Sequence, residues 1–169
     1  MGRHKHRGVI RALCASGRIE QMTSCIFCKI VAGQLESSKV YEDEEILALM
    51  DIQPVRQGQV LIIPKQHIDH FSDIPDALAL RIYRKTHALL KAVREVVRPR
   101  RMGLVVHGYG VPHAHVVIVP QHHEDDITSG RMADIENGRV IFTTKKLPQV
   151  PREEFDQMAQ LIKKTSTSQ

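Results

Sequence analysis

Apolar positions along this chain recur in two periods, and the switches between them outline the fold. In SDIPDALALRIYRKTHALLKAVREVVRP, residues 72–99, Leu78, Ile82, Leu89, Val93 and Val97 are spaced by four, seven, four and four. That is the stripe of an amphipathic helix. Asp73 is its expected N-cap, with Pro75 in the first turn and Pro99 stopping the far end. The opposite face, with Arg81, Arg84, Lys85, Lys91, Arg94 and Arg98, reads as solvated surface.

Elsewhere the period shortens. Between Lys39 and Pro64 the pattern predicts two strands, ILALMDI (46–52) and QVLII running into Pro64, with Pro54 and Gly58 punctuating the loop between them. MGLVV (102–106) and PHAHVVIV (112–119) follow the helix, joined by the short glycine turn HGYG. Beyond Pro120 come a polar loop, QHHEDD, one short strand at RVIF, and a C-terminal helix in PREEFDQMAQLIKK, with Phe155, Met158 and Leu161/Ile162 at helical spacing. The order β, β, α, β, β with hairpin-length connections predicts an α+β architecture, an antiparallel sheet with a helix on one face.

Composition narrows this picture. A chain of 169 residues, 42% hydrophobic, suits one core, built from Val, Ile, Leu and Ala because there are four Phe, three Tyr and no Trp. The formal charge of +5 sits mostly in residues 1–21, where Arg3, Lys5, Arg7, Arg11 and Arg18 face only Glu20, leaving +1 for everything else. A nucleic-acid partner therefore ranks last among the readings, and the longest apolar runs are strand-sized, so no membrane partner is expected. Residues 1–22 read as a basic, unstructured extension, 23–128 as the domain, and 129–169 as a C-terminal extension. Of three cysteines, Cys14 lies in the basic extension, while Cys25 and Cys28 form C-x-x-C. Without secretory features that pair points to a reducing, cytoplasmic setting and to metal or redox chemistry.

If residues 113–119 are extended, alternation places Ala114, Val116 and Ile118 on one face and His113, His115, Val117 and Val119 on the other. The apolar set belongs against the helix. The imidazoles then share the opposite face, about 7 Å apart along the strand, presented toward a ligand. Imidazole there can serve as acid or base, nucleophile or metal ligand, or simply fill space.

CIFCKIVAGQLESSKVYEDEEILALMDIQPVRQGQVLIIPKQH, residues 25–67, and VPHAHVVIVP, residues 111–120, resemble the bacterial zinc-bearing members of the histidine-triad (HIT) family. The resemblance spans about Ser24–Asp126. Counting back from Pro120, His113 and His115 fall on the first two triad positions and Val117 on the third. The resemblance implies that His115 is a nucleophile, attacking the α-phosphate of purine nucleoside phosphoramidates or dinucleoside polyphosphates to give a nucleotidyl-histidine. It implies zinc held by Cys25, Cys28, His67 and His113, a structural site since all four positions are protein ligands. It also implies that Asp51 grips the ribose, that Phe27, Ile30, Leu35, Leu49 and Ile52 enclose the base, and that two copies form a homodimer. Two departures weigh against full activity. Val117 cannot donate a hydrogen bond to phosphate, a loss of about 10²- to 10³-fold by analogy with oxyanion-hole deletions. The loop before the triad is cut to His107-Gly108-Tyr109-Gly110, leaving backbone donors such as that of Gly110, or His107, to compensate. An enzyme and a zinc-stabilised nucleotide-binding module with little turnover are thus the two readings.

Overall fold

Three strands, not two, precede the long helix. Lys39–Glu42 (β1), Ile46–Met50 (β2) and Val60–Pro64 (β3) run antiparallel in succession. The computed structural model describes residues 24–106, 108, 110–127, 132–143, 147 and 149–167. β1 escaped the hydrophobic pattern because only Val40 of KVYE is fully buried. Asp43 makes the turn into β2, its Oδ1 accepting the amides of Glu45 and Ile46 at 2.9 and 2.7 Å. This is the local carboxylate-to-backbone bonding that favours Asp in turns. A short helix, Ile26–Val31 (α1), also goes unannounced by the sequence pattern, its six residues spanning less than two turns.

The predicted long helix is Asp76–Val97 (α2). Asp73 is not its N-cap. Residues Phe71–Asp73 form a separate 3₁₀ turn, and Pro75 takes the cap position, its carbonyl accepting the Ala79 amide at 2.9 Å. Arg101–Val105 (β4) and Val116–Gln121 (β5) complete a sheet of order β1-β2-β3-β5-β4. Where one strand was expected at RVIF, a two-stranded hairpin forms from Ala133–Glu136 (β6) and Arg139–Phe142 (β7). The C-terminal helix is Arg152–Thr167 (α3).

Both faces of the sheet are covered, which is why β2 is apolar at every position. Ile82, Leu89, Ala92 and Val93 of α2 and Phe155, Ala159 and Ile162 of α3 pack against Ile46, Ala48, Val60, Ile62, Val116 and Ile118. On the other face Leu47, Leu49 and Ile63 meet Cys25, Phe27 and Ile30 around α1. Ser38 ties α3 to the sheet edge by donating to Asp156 Oδ1 at 2.6 Å. Gly58 allows the end of α2 to approach. Its φ is +90°, and a β-carbon there would lie 2.5 Å from Val97 Cγ2, a conformation and a contact that exclude other residues.

The histidines do not lie in the ladder. β5 begins at Val116, after both of them, and Val116 pairs with Ile62. Continuing that register would set Ala114 opposite Pro64, which has no amide hydrogen to give. The chains part there. The Ala114 amide turns to the Ile68 carbonyl at 2.6 Å, and the segment bearing His113 and His115 is held by contacts of its own.

Candidate metal and nucleophile site

Cys25 caps α1 and Cys28 lies one turn into it, so the three-residue spacing brings both thiols to one side of the turn. His67 follows β3, and His113 comes from the segment ahead of β5. The four ligand atoms all lie within 4.8 Å of one another, and among the described residues theirs is the one group of this kind. Cys25 Sγ is 3.5 Å from His113 Nδ1, Cys28 Sγ is 3.2 Å from His67 Nδ1, and Cys28 Sγ is 3.7 Å from His113 Nδ1. Zinc with sulfur at about 2.3 Å and nitrogen at about 2.0–2.1 Å would set tetrahedral S···N separations near 3.6 Å. The residues present fit such an ion.

Protonation tells the same story. Burial, then the hydrogen bond and charge of Cys25, push the Cys28 thiol up to about 12, so that thiol does not ionise without a compensating cation. Burial also lowers His113, helped by the nearby His67 and His115 and opposed by the Pro64 carbonyl. His113 is fully buried, and its Nε2–H donates to that carbonyl at 2.8 Å, leaving the Nδ1 lone pair aimed at the thiols. This carbonyl fixes tautomer and ring orientation as outer partners of metal-binding histidines do. His67 Nε2 is buried and has no hydrogen-bond partner among the described residues.

His115 stands outside the quartet. Its Nδ1–H donates to the His113 carbonyl at 2.7 Å, so Nε2 is the ring nitrogen that carries the lone pair. Phe27 meets both rings edge-on, with centroids 5.6 Å from His113 and 5.5 Å from His115. The expectation of an openly displayed imidazole needs correction: His115 is only 7% exposed. Val117 is buried between Leu61 and Val105, its neighbours in the ladder. Gly110 has φ +118°, with open space where a side chain would stand. His107 and Tyr109 of the shortened loop, and Cys14 with the basic extension, lie outside the described residues.

The other residues singled out in the sequence divide. Phe27, Ile30 and Leu49 come together in the apolar cluster beside the thiols. Leu35 and Ile52 do not join it and are 41% and 59% exposed. Asp51 sits at the end of β2, where Oδ1 accepts the Gln53 amide at 2.9 Å and Oδ2 accepts Gln59 Nε2 at 2.5 Å. A carboxylate offers about four lone-pair sites, so further donors still find room. Gln59, itself buried and also accepting the Val55 amide at 3.1 Å, positions Asp51. Neither Gln59 nor the carbonyl of Pro64 stood out in the sequence. An amide side chain leading into an otherwise apolar strand was the one available signal.

Fold and site define an α+β protein with a Cys₂His₂ cluster wired through one histidine to a second, hydrogen-bonded imidazole. The family model of the HIT domain matches residues 32–124, and the chain belongs to that family. It is 37% identical over 108 residues to Protein hit of Bacillus subtilis, covering 61% of this chain and 74% of that protein. It is 33% identical over 108 residues to adenosine 5'-monophosphoramidase hnt1 of Schizosaccharomyces pombe, covering 60% and 77%. Among solved structures, a zinc-bound histidine triad family protein from Mycobacterium smegmatis superposes with a TM-score of 0.64 over 87% of this chain and 96% of that one. At 24% identity, that likeness is one of fold. No helix among the described residues is long and apolar enough to cross a membrane.

Proposed function

We propose that the protein is a nucleotide hydrolase or nucleotidyl-transferase acting at the α-phosphate of purine nucleoside phosphoramidates or dinucleoside polyphosphates, with His115 as nucleophile. The observation that carries this reading is the 2.7 Å bond from His115 Nδ1–H to the His113 carbonyl, which makes Nδ1 the donor and supports Nε2 as the attacking atom. On a phosphoramidate, the Nε2–P bond forms as the P–N bond breaks, and the amine leaves as ammonia after taking a proton. Water then attacks phosphorus, releasing the nucleoside monophosphate and restoring the imidazole. The name of the fission-yeast relative supports the substrate class.

In this reading Cys25, Cys28, His67 and His113 hold zinc. With four protein ligands it has no open position and supplies structure, clamping α1 and the segment after β3 to the residues that precede His115. Asp51 receives the ribose hydroxyls, and the cluster of Phe27, Ile30 and Leu49, together with the exposed Leu35 and Ile52, encloses the base. The Gly110 backbone approaches phosphate, and the working form is a homodimer in the cytoplasm.

The alternative, a zinc-stabilised binding module, draws on the low exposure of His115 and on Val117. Turnover of adenosine 5'-phosphoramidate decides between them. His115→Ala is expected to lose more than about 10³-fold in kcat/KM while still binding AMP by calorimetry. Equal rates for the two proteins with AMP binding intact would establish the module instead.

A further inference from the structure

Outside residues 1–21 the chain is nearly neutral, but folding distributes that charge unevenly. Four arginines gather where α2 passes into β4: Arg94 in the last helical turn, Arg98 at the C-cap, Arg100 in the connection and Arg101 opening the strand. All four are exposed. Among the described residues none of them has a carboxylate partner, whereas Arg56, Arg81 and Arg152 each have one. Arg101 donates instead to the Arg100 carbonyl at 2.9 Å. Arg100 and Arg101 are shared by two adjoining hollows. One, of about 420 Å³, is also lined by His122 and His123, with Glu124 as its one acid among the described residues. The other, of about 240 Å³, is lined by Arg94. Arg98 has φ 52° and ψ 50°, a left-handed cap that helices usually give to glycine, so a long cation is kept where its β-carbon is strained.

We propose that this corner is a binding surface for the phosphodiester backbone of nucleic acid. Guanidinium forks match phosphate oxygens two at a time, and two hollows sharing a pair of arginines suit anions repeated along a chain. Among the described residues no Phe, Tyr or Trp lines either hollow, so the contacts go mainly to the backbone and carry little sequence preference. A site for anionic lipid would combine the cations with apolar side chains free to insert. The apolar residues here, Leu90 and Met102, are packed against the core. The surface lies at the far end of β5, about 20 Å along the strand from His115, and does not rest on the chemistry proposed for that residue.

The test uses the full-length chain and fluorescence anisotropy of labelled 20-nucleotide DNA of mixed sequence, single-stranded and duplex, over a series of salt concentrations. The Arg100→Ala/Arg101→Ala variant is expected to bind at least about 10-fold more weakly, with a plot of log K against log salt shallower by about 2. Residues 1–21 are present in both proteins and cannot cause the difference. Arg98→Gly is expected to weaken binding while its melting temperature holds or rises, which separates a ligand contact from a structural role. His115→Ala should bind like wild type. Absence of wild-type binding, affinity unchanged within 2-fold in the double variant, or tighter binding to phosphatidylserine vesicles than to either DNA would each overturn the proposal.

Discussion

The two faces of the central sheet are made from alternate residues of the same strands and obey different rules. On the helix side Ala114, Val116 and Ile118 pack against α2 and α3 in an apolar core. On the α1 side the intervening residues include His113 and His115, beside two thiols and Phe27. Burial is comparable: His113 and Ile118 are both fully covered. What differs is what burial demands. An apolar side chain needs only close contact, whereas a buried ring nitrogen calls for a partner, and for His113 and His115 these include thiols and the carbonyls of Pro64 and His113. The helix face holds the sheet together without specifying a site, and the α1 face specifies a site that depends on something to offset its thiols.

Metal removal should break this contrast most severely. A chelator is expected to lower the wild-type melting temperature by more than about 10 °C, since structural zinc contributes about 10 kcal/mol or more of binding energy in small domains. A Cys25→Ser/Cys28→Ser variant should begin near that lower value and not respond; a wild type indifferent to chelation would remove the metal from the account. On the opposite face, Leu89→Ala should cost about 2–5 kcal/mol by urea unfolding yet keep its full metal content by atomic absorption.

Asp126 tests a third region. It is fully buried and accepts Arg56 Nε at 2.7 Å and the amides of His122 and His123 at 2.7 and 2.8 Å. Burial alone would raise its carboxyl, but the two amides and the guanidinium outweigh that and hold it well below the usual carboxylate range. A depressed value supplies stability above the unfolded value of about 3.9 and loses it as pH falls through the folded one. Asp126→Asn should therefore cost about 2 kcal/mol at neutral pH and flatten the acid limb of the melting profile below about pH 4. Val117→His sets a larger, polar ring at a buried position and is expected to cost about 1–3 kcal/mol. That substitution should raise phosphoramidate turnover about 10²-fold by restoring a phosphate donor.

Sequence periodicity carried far where elements are long and one-sided. Leu78, Ile82, Leu89 and Val93 of α2 are buried as their spacing predicts. The Cys₂His₂ quartet was legible too, through the C-x-x-C pair and His67 placed beside a family resemblance, because ligand chemistry restricts which residue types can serve. Illegible were elements too short to show a period, α1 and β1, and effects decided by a single backbone atom. Nothing in SDIPD distinguishes Asp73 from Asp76 as the start of α2; the 3₁₀ turn that consumes Asp73 arises from its own backbone closure onto His70. The burial of His115 was equally hidden, since it depends on Phe27 reaching across from another element.

Pro64 extends that lesson to the working end of the molecule. An ordinary amide at this position would face Ala114 and let pairing zip two residues further, dragging the His115 imidazole into the rigid lattice of the sheet. A ring closed on its own nitrogen halts the zipper there and lends its oxygen to His113 instead. The aim of one side chain is thus governed from a neighbouring strand, by an atom that is missing.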